Sequence, residues 1–274
     1  MPPELISQIS RIVQEAGNGL IKYQKKALVV EYKKDEFDPV TIADRNTDDF
    51  LRARLAALFP GDSFLTEESA EAPKNYDGRV WMIDPLDGTK DFIAGRDCFA
   101  IHIGLLEGGV PVFGLVAVPR RGQIFSAVKG EGAFKHEDGV STPISVSTIT
   151  DIHEARLLTR YPGGEIRPIE EDIARIPFKQ RIPEGSMGLK ICMVASGEAE
   201  VFIPGNFNVG KWDTLAPEVI LREAGGLLTD LNGAPLNYSQ SSRMWDTLFV
   251  AANNATLQSQ VVGYLKRGSG LEFK

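Results

Sequence analysis

The chain has 274 residues, 43% of them hydrophobic and 24% charged, enough to bury one large core or two packed subdomains of ordinary composition. Its 37 acidic residues outnumber 30 lysines and arginines, for a formal net charge of −7, and no basic run stands out. That balance argues against a polymeric nucleic-acid partner or an anionic membrane surface, each of which needs a clustered basic footprint.

No segment approaches the roughly eighteen apolar residues of a membrane span, and the first residues lack a basic start followed by an apolar block. A soluble, cytoplasmic protein is expected. Cys98 and Cys192 form no CxxC pair and sit in apolar contexts, which predicts buried free thiols.

In chain order, helical spacing predicts a first helix over residues 3–26 and a second in "DRNTDDFLRARLAALF", with Phe50, Leu51, Leu55 and Leu58 on one face. Four strands follow, "RVWMID", "CFAIHIGLL", "VPVFGLVAVP" and "GQIFSAV", separated by Gly and Pro in the manner of an antiparallel meander. After residue 145 the rhythm changes. A strand "EARLLTR" leads into a proline-containing loop, then a helix "MGLKICMVAS", a strand "AEVFI" and a helix "DTLAPEVILREAGG". Strands "LLTDL" and "TLFVAAN" and a helix from Ala255 close the chain. This predicts an α+β subdomain over 1–145 and an α/β subdomain over 146–274.

The stretch "WMIDPLDGTKDF" ends an apolar strand in two carboxylates, Asp84 and Asp87, beside "GTKDFI", which can open a short helix. Backbone N–H groups at Gly88 and Thr89 there suit a phosphate, and hard divalent cations with oxygen ligands would neutralise the crowded carboxylates. A lone DxxD is more often a turn in which Asp caps backbone groups. Its company changes the balance: Glu67 and Glu68 follow an apolar segment in "FLTEES", Asp44 lies just before a helix in "TIADRN", and Asp213 stands at a helix start in "KWDTLAPE". Asp44 and Asp213 also suit N-caps, and Glu67 and Glu68 a solvated turn. His102, His136 and His153 lie in no nucleophile motif and read as structural or surface residues.

"EES", "DPLDGT" and "WDxxAPEVILxEAGG" occur in the order and spacing of the magnesium-dependent, lithium-sensitive phosphomonoesterases. The chain resembles that superfamily, which includes inositol monophosphatase and 3′(2′),5′-bisphosphate nucleotidase, from Asp44 to about Asn253. The resemblance implies a layered αβαβα sandwich of the sugar-phosphatase type. It also implies a first magnesium on Glu67, Asp84 and the Leu86 carbonyl, a second on Asp84, Asp87 and Asp213, and a third, weaker position using Glu67. Thr89, oriented by Asp44, corresponds to the general-base pair that positions and deprotonates the attacking water.

Three features favour a nucleotidase acting on adenosine 3′,5′-bisphosphate: "GTKDF", the lysine of "GLKIC" and "KWDTLAPEVILREAGG". In that reading Gly88, Thr89 and Asp213 line the scissile phosphate, while Ser186 and Lys190 in "GSMGLKIC" meet the second one. An inositol or other sugar-phosphate phosphatase is the alternative, because "FIPGNFNVGKWD" has Gly205 and Asn206 where some bacterial nucleotidases carry an arginine, and it also lacks the sugar-binding glutamate of the inositol enzymes. A non-catalytic metal-dependent binding protein would explain the carboxylates but not Thr89 beside Asp44. The expected partner is a small phosphorylated substrate, and the family also allows a homodimer.

Overall fold

A computed structural model describes residues 1–25, 30–32, 39–69, 73, 75–162, 168–205 and 209–268. Asn206 lies outside these residues. The chain begins with α1 (Pro3–Gln24), the short antiparallel pair β1 (Val30–Tyr32) and β2 (Pro39–Thr41), and α2 (Ile42–Leu58). Next come β3 (Ser63–Thr66), β4 (Arg79–Asp87) and the short α3 (Thr89–Ile93). The meander continues through β5 (Ala100–Glu107), β6 (Val110–Val118), β7 (Gln123–Val128), β8 (Ala133–Glu137) and β9 (Val140–Ile144).

The remainder comprises β10 (Arg156–Thr159), α4 (Pro168–Ala174), β11 (Gln180–Pro183), α5 (Met187–Ala195), β12 (Val201–Phe202), α6 (Lys211–Glu223), β13 (Leu227–Asp230), β14 (Phe249–Ala252) and α7 (Ala255–Gly268). Among the described residues these form a seven-stranded sheet in the order β3-β4-β5-β6-β7-β8-β9 and a five-stranded sheet in the order β11-β10-β12-β14-β13. The first is antiparallel apart from the parallel β3–β4 pair, and the second is mixed. No helix among them is long and apolar enough to cross a membrane.

Side-chain alternation along the strands sorts these elements into five layers. Trp81 and Ile83 of β4, with Ile101 and Ile103 of β5, face Ile9, Val13 and Leu20 of α1 and Leu51 and Leu55 of α2. Val80 and Met82 face the other way, into a core shared with Leu189 and Ile191 of α5, Leu215 and Ile220 of α6, and Phe249 and Ala251 of β14. Beyond the second sheet, Leu157, Val201 and Val250 pack on Ile169 and Ile173 of α4 and Leu257 and Val261 of α7. The result is the expected αβαβα sandwich, with α5 and α6 in its central layer. Cys98 and Cys192 are buried free thiols.

One contact sets the seat of α6. Gly104 and Gly114 are partners across β5 and β6. A Cβ at Gly114 would fall 2.1 Å from the Ala216 carbonyl oxygen, and one at Gly104 would fall 2.1 Å from Leu215 Cδ2. The helix therefore rests directly on sheet backbone, a closeness that only glycine permits.

Several boundaries differ from expectation. Pro85 interrupts pairing without ending it: the register shifts between Asp84 and Asp87, and pairing resumes at Asp87 opposite Ala100. The bulge turns both carboxylates to the strand's end. Asp44 and Asp213 are not N-caps. Thr41 caps α2 and Gly210 caps α6, and each aspartate is the third helical residue, accepting from the backbone N–H of its cap residue. Helix α6 runs through Pro217, whose missing N–H leaves the Asp213 carbonyl without its usual partner. The proline-containing loop holds α4 and β11, whose lengths of 7 and 4 residues give little periodic signal.

Candidate active site

The strand-end carboxylates meet α6 and α5 beneath the turn into α3. Asp84 is buried at the end of β4, and its Oδ1 accepts from the Leu86 N–H at 2.9 Å. Burial comes first in pushing its carboxyl well above the usual range, followed by the charges of Glu67, Asp87 and Asp213. Asp213 is raised for the same reasons: burial, then Asp87 and Glu67. The structure thus brings Glu67, Asp84, Asp87 and Asp213 into one electrostatic cluster. The charge of Glu68 acts on Asp44 and Asp48.

Asp87 is held differently from its neighbours. Burial raises its carboxyl, but His102, the Ser186 hydroxyl and the Gly188 N–H more than offset this and bring it down to about 2. Ser186 and Gly188 both donate to Oδ2, the latter at 2.9 Å, across 99 and 101 residues of sequence. Ser186 also caps α5, its Oγ accepting from the Leu189 N–H at 3.0 Å. Asp87 is therefore tied to the second half of the chain through the first turn of α5, and the hydroxyl proton of Ser186 is already committed.

Gly88 adopts φ 89°, a left-handed conformation that lets the chain turn from β4 directly into α3. That turn places Thr89 Oγ1 3.2 Å from Asp44 Oδ1 and 3.2 Å from the Leu86 carbonyl oxygen. Asp44 Oδ2 accepts from the Thr41 N–H at 2.8 Å and the Thr41 hydroxyl at 2.6 Å. Burial raises the Asp44 carboxyl; the Thr41 hydrogen bonds oppose that, and the charge of Glu68 adds to it. The carboxylate is fixed by its own capping box with one oxygen turned to Thr89.

Lys190 is buried, and its ammonium donates to the carbonyls of Glu184, at 3.3 Å, and Gly185, with the Phe202 ring 5.2 Å away. It stabilises the turn that presents Ser186. Beside it opens a cavity of about 360 Å³ lined by Arg160, Tyr161, Met187, Lys190, Phe202 and Pro204, among others. Arg160 pairs with Glu170 at 2.6 Å on its wall.

A strap that motif reading missed spans residues 238–245. Arg243 donates to the Thr66 carbonyl at 2.6 Å, one residue before Glu67, and its own carbonyl accepts from the Lys211 N–H at 3.0 Å, two residues before Asp213. Lys211 is wholly buried, donates to the Tyr238 carbonyl at 2.7 Å and to that of Gln240, and lies 4.3 Å from the Tyr76 ring centroid. Burial lowers its ammonium to about 8. No signal in the sequence marks these tertiary contacts.

His102 is the other omission. It faces Asp84 across β4 and β5 and is wholly buried, within ligand-sharing distance of Asp84 and Asp87. Its place in an apolar strand gives no sign of these carboxylate neighbours.

The donor set fits a divalent cation. Among the described residues no lysine or arginine makes an ion pair with Asp84 or Asp213, whose carboxylates repel one another. All-oxygen donors of this kind suit a hard ion.

The sequence profile described as the Inositol monophosphatase family matches residues 2–267. The chain belongs to the inositol monophosphatase family. Its members are phosphatases, and this chain is a phosphoric monoester hydrolase. It is 32% identical over 253 residues to a 3′(2′),5′-bisphosphate nucleotidase CysQ of Aggregatibacter actinomycetemcomitans, covering 90% of this chain and 91% of that protein. It is 34% identical over 238 residues to a histidinol-phosphatase of Mycobacterium tuberculosis, covering 86% and 87% respectively. The solved structure of an IMPase from Thermotoga maritima superposes with a TM-score of 0.83 at 26% identity, covering 97% of this chain and 98% of that one.

Proposed function

We propose that this member of the family is a magnesium-dependent 3′(2′),5′-bisphosphate nucleotidase that releases phosphate from adenosine 3′,5′-bisphosphate. The observation that carries the reading is the cavity against Met187 and Lys190 of α5, the helix whose first turn holds Asp87. The cavity lining includes the rings of Tyr161 and Phe202, which suit a nucleobase, and the Arg160–Glu170 pair, which adds polar groups to the same wall. The likeness to the CysQ nucleotidase supports it.

In this reading Glu67, Asp84 and the Leu86 carbonyl would hold one magnesium, Asp84, Asp87 and Asp213 would hold a second, and a third would use Glu67. Bound there, magnesium supplies Lewis-acid activation of water and stabilises charge on the leaving oxygen. The chain supplies the rest. The backbone N–H groups of Gly88 and Thr89 orient the scissile phosphoryl group, and Thr89 Oγ1, aligned by Asp44, accepts the proton of the attacking water as its own passes to Asp44 Oδ1. Asp87, pinned through Oδ2 by Ser186 and Gly188, keeps its other oxygen available.

The likeness to the histidinol-phosphatase supports a second reading, an amino-alcohol phosphate as substrate. Phosphate release from adenosine 3′,5′-bisphosphate, inositol 1-phosphate and histidinol phosphate, each measured across a magnesium titration, separates the two. Preference for the bisphosphate with no turnover in chelator is the expected result. Preference for either monophosphate would replace the substrate assignment, and turnover in chelator would remove the magnesium assignment.

A further inference from the structure

His102 occupies the middle of β5 with 0% of its side chain exposed. Its Nε2 lies 3.2 Å from Asp87 Oδ2 and its Nδ1 lies 3.8 Å from Asp84 Oδ2, yet neither nitrogen is aligned in a hydrogen bond. Unmet polar atoms in a core cost stability, so an apolar residue would serve folding better at this position. Room for the ring is made by Gly188: a Cβ there would fall 2.2 Å from Nε2. The imidazole is thus enclosed between β4, β5 and the first turn of α5, with carboxylates as its polar neighbours.

The direction of approach assigns its part. Asp87 Oδ2 is the oxygen that Ser186 and Gly188 already hold, so it faces protein, and His102 Nε2 comes within 3.2 Å of the same oxygen. A ring there gathers a third protein group on one oxygen of the carboxylate and leaves the other for an ion. We propose that His102 is a positioning residue of the metal centre. Its Nε2–H completes a three-donor socket around Asp87 Oδ2, and its Nδ1 edge limits rotation of Asp84, so that both carboxylates present fixed oxygens to the cation. Groups behind metal ligands act in this way and typically change metal affinity about 10- to 100-fold when removed. The inference rests on the reading that Asp84, Asp87 and Asp213 hold the metal.

The test uses manganese as the probe ion, titrated by calorimetry and by electron paramagnetic resonance into the wild type, His102→Ala, His102→Asn and Asp213→Asn, with Tm of each metal-free protein. The expected result is near-complete loss of binding in Asp213→Asn, roughly 10- to 100-fold weaker binding in His102→Ala, and recovery of most of it in His102→Asn, whose amide can again donate to Asp87. Pulsed spectra of the wild-type complex should show no directly coordinated nitrogen. Wild-type affinity in His102→Ala, a coordinated ring nitrogen, or losses in both His102 variants that follow a matching fall in metal-free Tm would overturn it. Equal binding by wild type and Asp213→Asn would instead remove the metal-site reading, and this inference with it.

Discussion

Thr89 Oγ1 lies 3.2 Å from Asp44 Oδ1, a contact between the first turns of two helices that start 47 residues apart, at Ile42 and Thr89. The hydroxyl is shared with the Leu86 carbonyl, also at 3.2 Å, so one small group answers to both the base and a predicted metal-ligand segment. Thr89→Ala should lower kcat by about 10²- to 10⁴-fold, and Asp44→Asn by a similar factor, while Thr89→Ser retains most activity. Steady-state kinetics at saturating magnesium checks this. Thr89→Ala turning over at the wild-type rate would remove the pair from the mechanism.

The acidic cluster divides in its effect on metal-free stability. Crowding alone suggests that neutralising Asp87 leaves the chain no less stable, but Asp87 is lowered to about 2 by its donors, so its ionised form stabilises the fold above the ordinary carboxylate range. Asp213 is raised by burial and repulsion, so its charge works against the fold. In chelator at pH 8, Asp213→Asn should melt above wild type and Asp87→Asn below it. Calorimetric melts giving the reverse order would contradict the assigned environments.

Lys190 was expected to meet a second phosphate, and its ammonium is instead bonded to the carbonyls of residues 184 and 185. Lys190→Met should therefore loosen the turn that presents Ser186 and impair adenosine 3′,5′-bisphosphate and inositol 1-phosphate by similar factors. Comparing kcat/KM on the two substrates decides the matter. A loss confined to the bisphosphate would restore the lysine as a direct contact.

Glu218, fully buried in α6, accepts from the Tyr238 hydroxyl at 2.6 Å, and burial raises its carboxyl from 4.5 to about 7. Between those values the folded protein keeps a proton that the unfolded chain releases, so stability falls as pH rises through that window and levels off above it. The full effect is about 3 kcal/mol. Glu218→Gln should remove this slope, its Tm rising relative to wild type between pH 5 and 8. Parallel melting curves for the two proteins across that range would show that Glu218 is ionised throughout.

Much of the fold was legible because its long elements carry a strong period. The buried stripe Ile9, Ile12, Val13, Ala16, Leu20 repeats as a helix face should, and the meander strands are long and separated by turn residues. The short α4 and β11 were not legible, since a few residues around prolines express no period. The carboxylates were visible as clustered charge at strand and helix ends. The partners that fix them were not: His102 reads as an ordinary member of an apolar strand, and the Arg243 bond to Thr66 joins residues 177 apart in sequence. Such pairings exist only once the chain is folded.

The glycine pair under α6 also fixes how far that helix can move. With Gly104 and Gly114 admitting helix backbone at contact distance, α6 has one resting place, and sliding it along its axis would drive Leu215 and Ala216 into the sheet. Asp213 inherits that immobility from a floor with no side chains to adjust. A carboxylate on such a helix is placed by backbone-to-backbone contact, which no change of rotamer elsewhere in the core can shift.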